Sequence, residues 1–181
     1  AGMVTVVAVA LLLIATRHLI GETPSPLHGK RHSFRLPSTP TVYLIGLLAL
    51  FSMVPEGAVL DWAALYLAQE LGADLAAAGL AFAFFSGAMA IMRFAGDGIR
   101  TRFGAVTTLR VSSLVAACGV FAAAISPWPW LAIAAFAFSG LGIANMVPIA
   151  FSAGGNQPGM APGTGMSVVT TMGYTGILVA P

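Results

Sequence analysis

The stretch Val111–Pro181, VSSLVAACGVFAAAISPWPWLAIAAFAFSGLGIANMVPIAFSAGGNQPGMAPGTGMSVVTTMGYTGILVAP, holds 71 consecutive residues without Asp, Glu, Lys, Arg or His. A domain facing water on all sides needs charge over roughly a quarter to a third of its surface, so this segment must meet hydrocarbon instead. The rest of the chain agrees. Of its 181 residues 58% are hydrophobic and only 8% charged, and the mean hydropathy is +0.92, an integral-membrane composition.

Working outward, six apolar runs can be drawn: Met3–Ala15, Tyr43–Leu67, Leu75–Ala95, Val106–Ile125, Trp128–Phe151 and Gly165–Pro181. A hydrocarbon core of about 30 Å takes roughly 20 helical residues, which is the spacing of the inner four. In lipid only helices or closed barrels satisfy every backbone group, and these runs lack the alternating period of barrel strands. The expected fold is all-α and polytopic. The opening Ala1-Gly2 and the closing Pro181 lie inside apolar runs, so the first and last spans read as partial and the chain as part of a longer protein. A cleaved leader would carry its positive charge ahead of its apolar core, whereas Arg17 and Lys30 follow the first run.

Punctuation between the runs fits helix ends. Pro37 and Pro40 precede the second run, Asp74 is placed to cap the third, Ser126, Pro127 and Pro129 precede the fifth, and Gly154–Gly159 precedes the sixth. The eight basic residues are sorted: Arg17, Lys30, Arg31 and Arg35 flank the first link, and Arg93, Arg100, Arg102 and Arg110 flank the third. The second link, Ala68–Asp74, and the link near Trp128 hold none. Alternating spans then gather every Lys and Arg on one face, and the positive-inside rule places segment 21–41 and turn 96–104 in the cytoplasm. Trp128 and Trp130 fall at the opposite interface.

Charge inside a span is costly and therefore informative. Glu56 follows Tyr43 by 13 residues, about 20 Å along a helix, where a carboxylate costs roughly 3 kcal/mol on insertion scales. Pro55 and Gly57 bracket it, which predicts a kink, and interrupted spans often form transporter sites. Asp61 lies about 140° around the helix from Glu56 and is treated as a separate position, either a second binding group with Trp62 or an interfacial residue. Asn145 sits between Gly140, Gly142 and Pro148, where it either lines a cavity or bonds a neighbouring helix. Gly87, Gly119, Gly140 and Gly173 are expected to let helices approach closely. After the third run comes a charged turn, Gly96 to Gly104. Arg93 and Asp97, four residues apart, would share a face and pair if the helix persisted that far.

The turn Gly96-Asp97 through Arg102-Phe103-Gly104 is similar to the signature loop of the major facilitator superfamily, in which glycine, aspartate and basic residues follow the second helix of each half. It departs from that pattern at Arg93, which stands where a glycine is usual if Asp97 is the signature acid, or at Thr101 if the match is Thr101-Arg102-Phe103-Gly104. A narrower resemblance, to bacterial inner-membrane facilitators, is carried by Glu56-Gly57-Ala58 with Asp61-Trp62 and Tyr66-Leu67, by Gly142–Pro148, by Gln157-Pro158-Gly159 and by Gly173-Tyr174. The resemblance implies the C-terminal half of a twelve-helix carrier, roughly helices six to eleven. Residues 1–20 would end one helix, 21–41 would form the central cytoplasmic loop, and 42–181 would form an incomplete half-bundle whose partner is the N-terminal half of the same carrier.

It also implies secondary active transport of a small solute by alternating access, without an ATP-binding module. Glu56, Asp61, Trp62 and Asn145 would be substrate or proton sites, and Arg93, Gly96, Asp97, Arg100, Arg102 and Gly104 a gating loop. A passive channel or a structural membrane subunit is the competing expectation. Catalysis is not expected: His18, His28 and His32 all precede the second run, and Ser139-Gly140 lacks the neighbouring glycine of a nucleophile elbow. No cofactor, metal or nucleic-acid partner is expected, and a lone Cys118 in an apolar run reads as a small packing residue.

Overall fold

The computed structural model describes residues 37, 39–160 and 162–179, all within one compact unit. The first apolar run, residues 21–36 and 38 of the expected central loop and four of the eight basic residues lie outside the described residues, and the last two residues of that loop, Pro40 and Thr41, already belong to a helix. Among the described residues every regular element is helical: α1 Pro40–Gln69, α2 Leu75–Phe103, α3 Ala105–Ala124, α4 Pro129–Ile143, α5 Met146–Gly155 and α6 Pro162–Val179. Counting α4 and α5 as a single broken span, four helices among the described residues are long and apolar enough to cross a membrane. Their outward residues are hydrocarbon, as with Phe51, Ile91, Phe94, Leu114 and Phe121, each at least 66% exposed.

Local chemistry sets the ends. Pro40 occupies the first turn of α1, where its missing N–H costs nothing. Asp74 caps α2, its Oδ1 accepting from the Ala77 N–H at 2.7 Å. Gly104, with φ of 79°, makes the reversal from α2 into α3 in a single residue, a backbone region that side chains with a Cβ rarely adopt.

Two boundaries differ from the sequence expectation. The segment expected as a turn, Gly96–Gly104, is helical through Phe103. Nothing in Asp97-Gly98-Ile99-Arg100-Thr101-Arg102 breaks a helix beyond the modest cost of one glycine, and leaving the hydrocarbon gives the backbone no reason to unwind. At 29 residues α2 is about 43 Å long, which exceeds a 30 Å core by about its last nine residues, the stretch that holds Arg100 and Arg102. The fifth run, drawn as one span with a weak point at Gly140, Gly142 and Pro148, breaks there, at Ala144–Asn145. Pro148 has no N–H to give the Ala144 carbonyl and its ring crowds that same group, so the ladder is interrupted one turn upstream. Pro55, by contrast, leaves α1 a single helix from Pro40 to Gln69.

The helices pack through small residues. α1 lies mainly along α6, and α4 lies on both α2 and α3. A Cβ added at Gly119 would come within 2.7 Å of the Ser139 backbone, and one at Gly140 within 2.6 Å of the Phe85 carbonyl oxygen, so glycine at these crossings lets the backbones meet. Gly173 likewise rests on Met53 and Ala49. Gly87 faces open space and packs against no helix of the described bundle.

Candidate functional site

Glu56 and Arg93 join α1 to α2. The short link Glu70–Asp74 makes these helices an antiparallel pair. Glu56 stands 13 residues, about 20 Å, from the end of α1, while Arg93 stands 18 residues, about 27 Å, into α2. Side chains lean toward the N-terminus of their helix, so the long Arg93 side chain reaches back over the intervening distance. Its Nη2 donates to Glu56 Oε1 at 3.5 Å and lies 4.0 Å from the Met89 sulfur. The Glu56 side chain is 12% exposed and the Arg93 side chain 49%. A carboxylate inside the bundle thus meets a guanidinium at its edge.

This partner corrects the expected pairing of Arg93 with Asp97. The helix does persist and the two residues do lie four apart, yet the guanidinium turns to the buried carboxylate, which has lost most of its water, while Asp97 is exposed and already solvated.

Asn145 sits at the α4–α5 break, buried, with its Oδ1 against Gly96 of α2. Only a residue without Cβ leaves room for the amide there. Arg93, Gly96, Asp97, Arg100, Asn145, Pro148 and Ile149 line a cavity of about 160 Å³ between α2 and the start of α5. Arg100 Nη2 donates to Ser152 Oγ at 2.9 Å, tying the end of α2 to α5. Arg102 lies over the ring of Phe103, 5.5 Å from its centroid, and Gly104 makes the turn.

Of the residues singled out in the sequence, the structure brings Glu56, Arg93, Gly96, Asn145 and Arg100 to one region, with Asp97 at its rim. Asp61 and Trp62 lie elsewhere. Asp61 is exposed, and Trp62, half exposed, borders a separate apolar cavity of about 250 Å³ with Pro55, Tyr66 and Phe136. Tyr66 donates through its hydroxyl to the Ala123 and Ala124 carbonyls in the last turn of α3, at 3.1 Å each. Ser152 and Tyr66 were not legible as partners in the sequence, since serine and tyrosine are common in membrane helices and no spacing marks these two. No group of three or more His, Cys, Asp and Glu placed to hold a metal is found among the described residues.

A long helix ending in arginines, a glycine-seated amide and a buried carboxylate recur in many membrane proteins, and sequence comparison decides among them. The family model for the Major Facilitator Superfamily matches residues 1–181. The chain belongs to the major facilitator superfamily. Members of this superfamily are transporters rather than enzymes, and the described helices are those of a multi-pass membrane protein. Similar curated proteins include an uncharacterised transporter of this superfamily from Yersinia pestis, 36% identical over 180 residues covering 99% of this chain and 46% of the relative. An uncharacterised transporter of Sinorhizobium fredii is 33% identical over 140 residues, 77% of this chain and 37% of its own length. The membrane protein MosC of Rhizobium meliloti is 28% identical over 172 residues, 94% of this chain and 42% of its own. The chain therefore spans less than half the length of these relatives. No solved structure gives a significant match.

Proposed function

We propose that this chain is the C-terminal half of a carrier that moves a small solute across a bacterial inner membrane by alternating access, driven by an ion gradient. In this reading residues 1–20 end a preceding helix, 21–41 form the central loop, and 42–181 belong to the second half-bundle, docked on an N-terminal half of the same protein. The gathering of the basic residues supports a cytoplasmic location for segments 21–41 and 96–104.

The observation that carries the proposal is the Glu56–Arg93 pair beside the Asn145 break. A carboxylate costs several kcal/mol to place among apolar helices, and one that served packing alone would be replaced at a gain by a hydrocarbon side chain. Beside it lie an interrupted helix and a cavity lined in part by Arg93, Asp97, Arg100 and Asn145, and interrupted spans are where transporters often expose groups to a solute. Glu56 is assigned to proton or solute binding and Asn145 to hydrogen bonding. Arg93, Gly96, Asp97, Arg100, Arg102 and Gly104 form the gate at the end of α2, while Asp61 and Trp62 contribute to a second, outer contact.

Uptake by the full-length protein in proteoliposomes tests this. Saturable, gradient-driven uptake is expected, with Glu56→Gln lowering it at least tenfold at equal incorporation. Wild-type uptake by that variant, at every pH tried, would remove Glu56 from the mechanism. Flux far above carrier turnover would instead mean a channel.

A further inference from the structure

We propose that the crevice where α2, α3 and α4 meet near the Gly104 turn holds one acyl chain of an anionic phospholipid, its phosphate paired with Arg102 and Arg110. The crevice has a volume of about 270 Å³ and is walled chiefly by Met92, Ile99, Phe103, Val111, Val115 and Leu141, with no charged side chain in its lining. Its polar lining side chains are Thr107, Thr108, Ser112 and Asn145, of which Thr108 donates its hydroxyl to the Gly104 carbonyl at 2.8 Å. The walls belong to helices that meet hydrocarbon on their outward faces, and the rim residues Phe103, Thr107 and Val111 are exposed.

Charge decides the occupant. The Arg102 guanidinium lies over the ring of Phe103, itself a wall of the crevice, so a cation sits at the mouth. Arg110 is exposed on α3, three residues or about 4.5 Å of rise beyond Thr107. The nearby acid, Asp97, lines the separate cavity beside Arg93. A further protein helix seated here would have to cover two guanidinium groups with hydrocarbon, at a cost of several kcal/mol each if unpaired. A phospholipid offers methylenes to the walls and a phosphate to the arginines at once, and each arginine near an anionic headgroup contributes about 1 kcal/mol.

The test uses the full-length carrier, partly delipidated in detergent and exposed to phosphatidylglycerol or phosphatidylcholine of the same acyl chains. Bound lipid is counted by native mass spectrometry. Phosphatidylglycerol is expected to be retained roughly tenfold or more over phosphatidylcholine, and Arg102→Gln with Arg110→Gln to bring the two lipids level. Thr107→Trp, a bulky change at the exposed rim that leaves the helix packing intact, should lower retention of both. Glycerol phosphate in excess should displace neither. Equal retention of the two lipids by the wild type, or unchanged preference in the arginine variant, would overturn the proposal. So would unchanged retention in Thr107→Trp, as expected if another helix of the full chain fills the crevice, or displacement by glycerol phosphate, which would leave a headgroup site without an acyl chain.

Discussion

Helix α1 meets its two main neighbours in opposite ways. Along α6 the contact is seated on glycines: Gly46 lies against Met172, Gly173 against Met53 and Ala49, and Gly176 against the Leu50 carbonyl. Toward α2 the same helix offers a carboxylate, answered by one arginine. Lipid tails are as apolar as leucine, so burying hydrocarbon gives no drive for helices to associate, and close packing must supply it. The α1–α6 seam does this without charge. The α1–α2 ion pair is a costly addition to a bundle that already has a cheaper way to hold together. Stability should therefore track the glycine seam, and transport the ion pair.

The sharpest way to break this contrast is Gly176→Leu. Its Cβ would sit 2.5 Å from the Leu50 carbonyl oxygen, a backbone atom that cannot move aside. We expect about 3 kcal/mol or more of destabilisation, seen as loss of a monodisperse peak in detergent or a fall in Tm of about 10 °C. A well-folded Gly176→Leu protein would mean that the seam is looser than drawn.

Next in size is the pair itself. Arg93→Ala strands the Glu56 carboxylate, while Arg93→Ala combined with Glu56→Gln removes the demand for a partner. The single variant should lose about 1–2 kcal/mol in thermal unfolding, below the 3–5 kcal/mol of a wholly buried pair because the guanidinium is half exposed, and the double variant should recover much of that loss. Transport should recover in neither. If the double variant transports, the pair is structural and the contrast collapses.

Gly96→Ala is a smaller perturbation that reads the Asn145 contact. The new methyl overlaps Oδ1, but the amide is the mobile end of a side chain, so we expect a change in Tm of only a few degrees with transport lowered several-fold. Asn145→Ala combined with Gly96→Ala should regain the stability and not the transport. The smallest effect is expected at Gly87→Ala, where a Cβ meets nothing within 4 Å: helix propensity alone predicts up to about 1 kcal/mol of stabilisation in the same melting measurement. Destabilisation there would place a further helix of the full protein against Gly87.

Much of this fold was legible because two rules of membrane chemistry act locally. Among the described residues apolar run length marked the spans to within a few residues, except at the end of α2, which runs eight residues past Ala95, and Pro40 and Asp74 began their helices where a missing donor or a short carboxylate belongs. The misplaced boundaries have local causes too. The charge of Asp97, Arg100 and Arg102 suggested a loop, yet charge ends the hydrocarbon contact of a helix without ending its hydrogen bonds. Pro148 broke its span where Pro55 did not, although both lie inside long apolar runs. The candidate site was half legible: Glu56 and Asn145 stood out by cost, whereas Ser152 did not, because a serine near the end of an apolar run carries no mark until Arg100 reaches it.

By itself the sequence determined that these residues cross a bilayer as helices, and it named the carboxylate whose placement there demands a reason. Both follow from transfer energies, which depend on residue type and run length alone. Which partner answers that carboxylate, which glycines carry a crossing and where the amide of Asn145 rests were decided only by the tertiary structure. Those depend on how each helix is rotated and shifted against its neighbours, and a helix shows every one of its faces in the sequence alike.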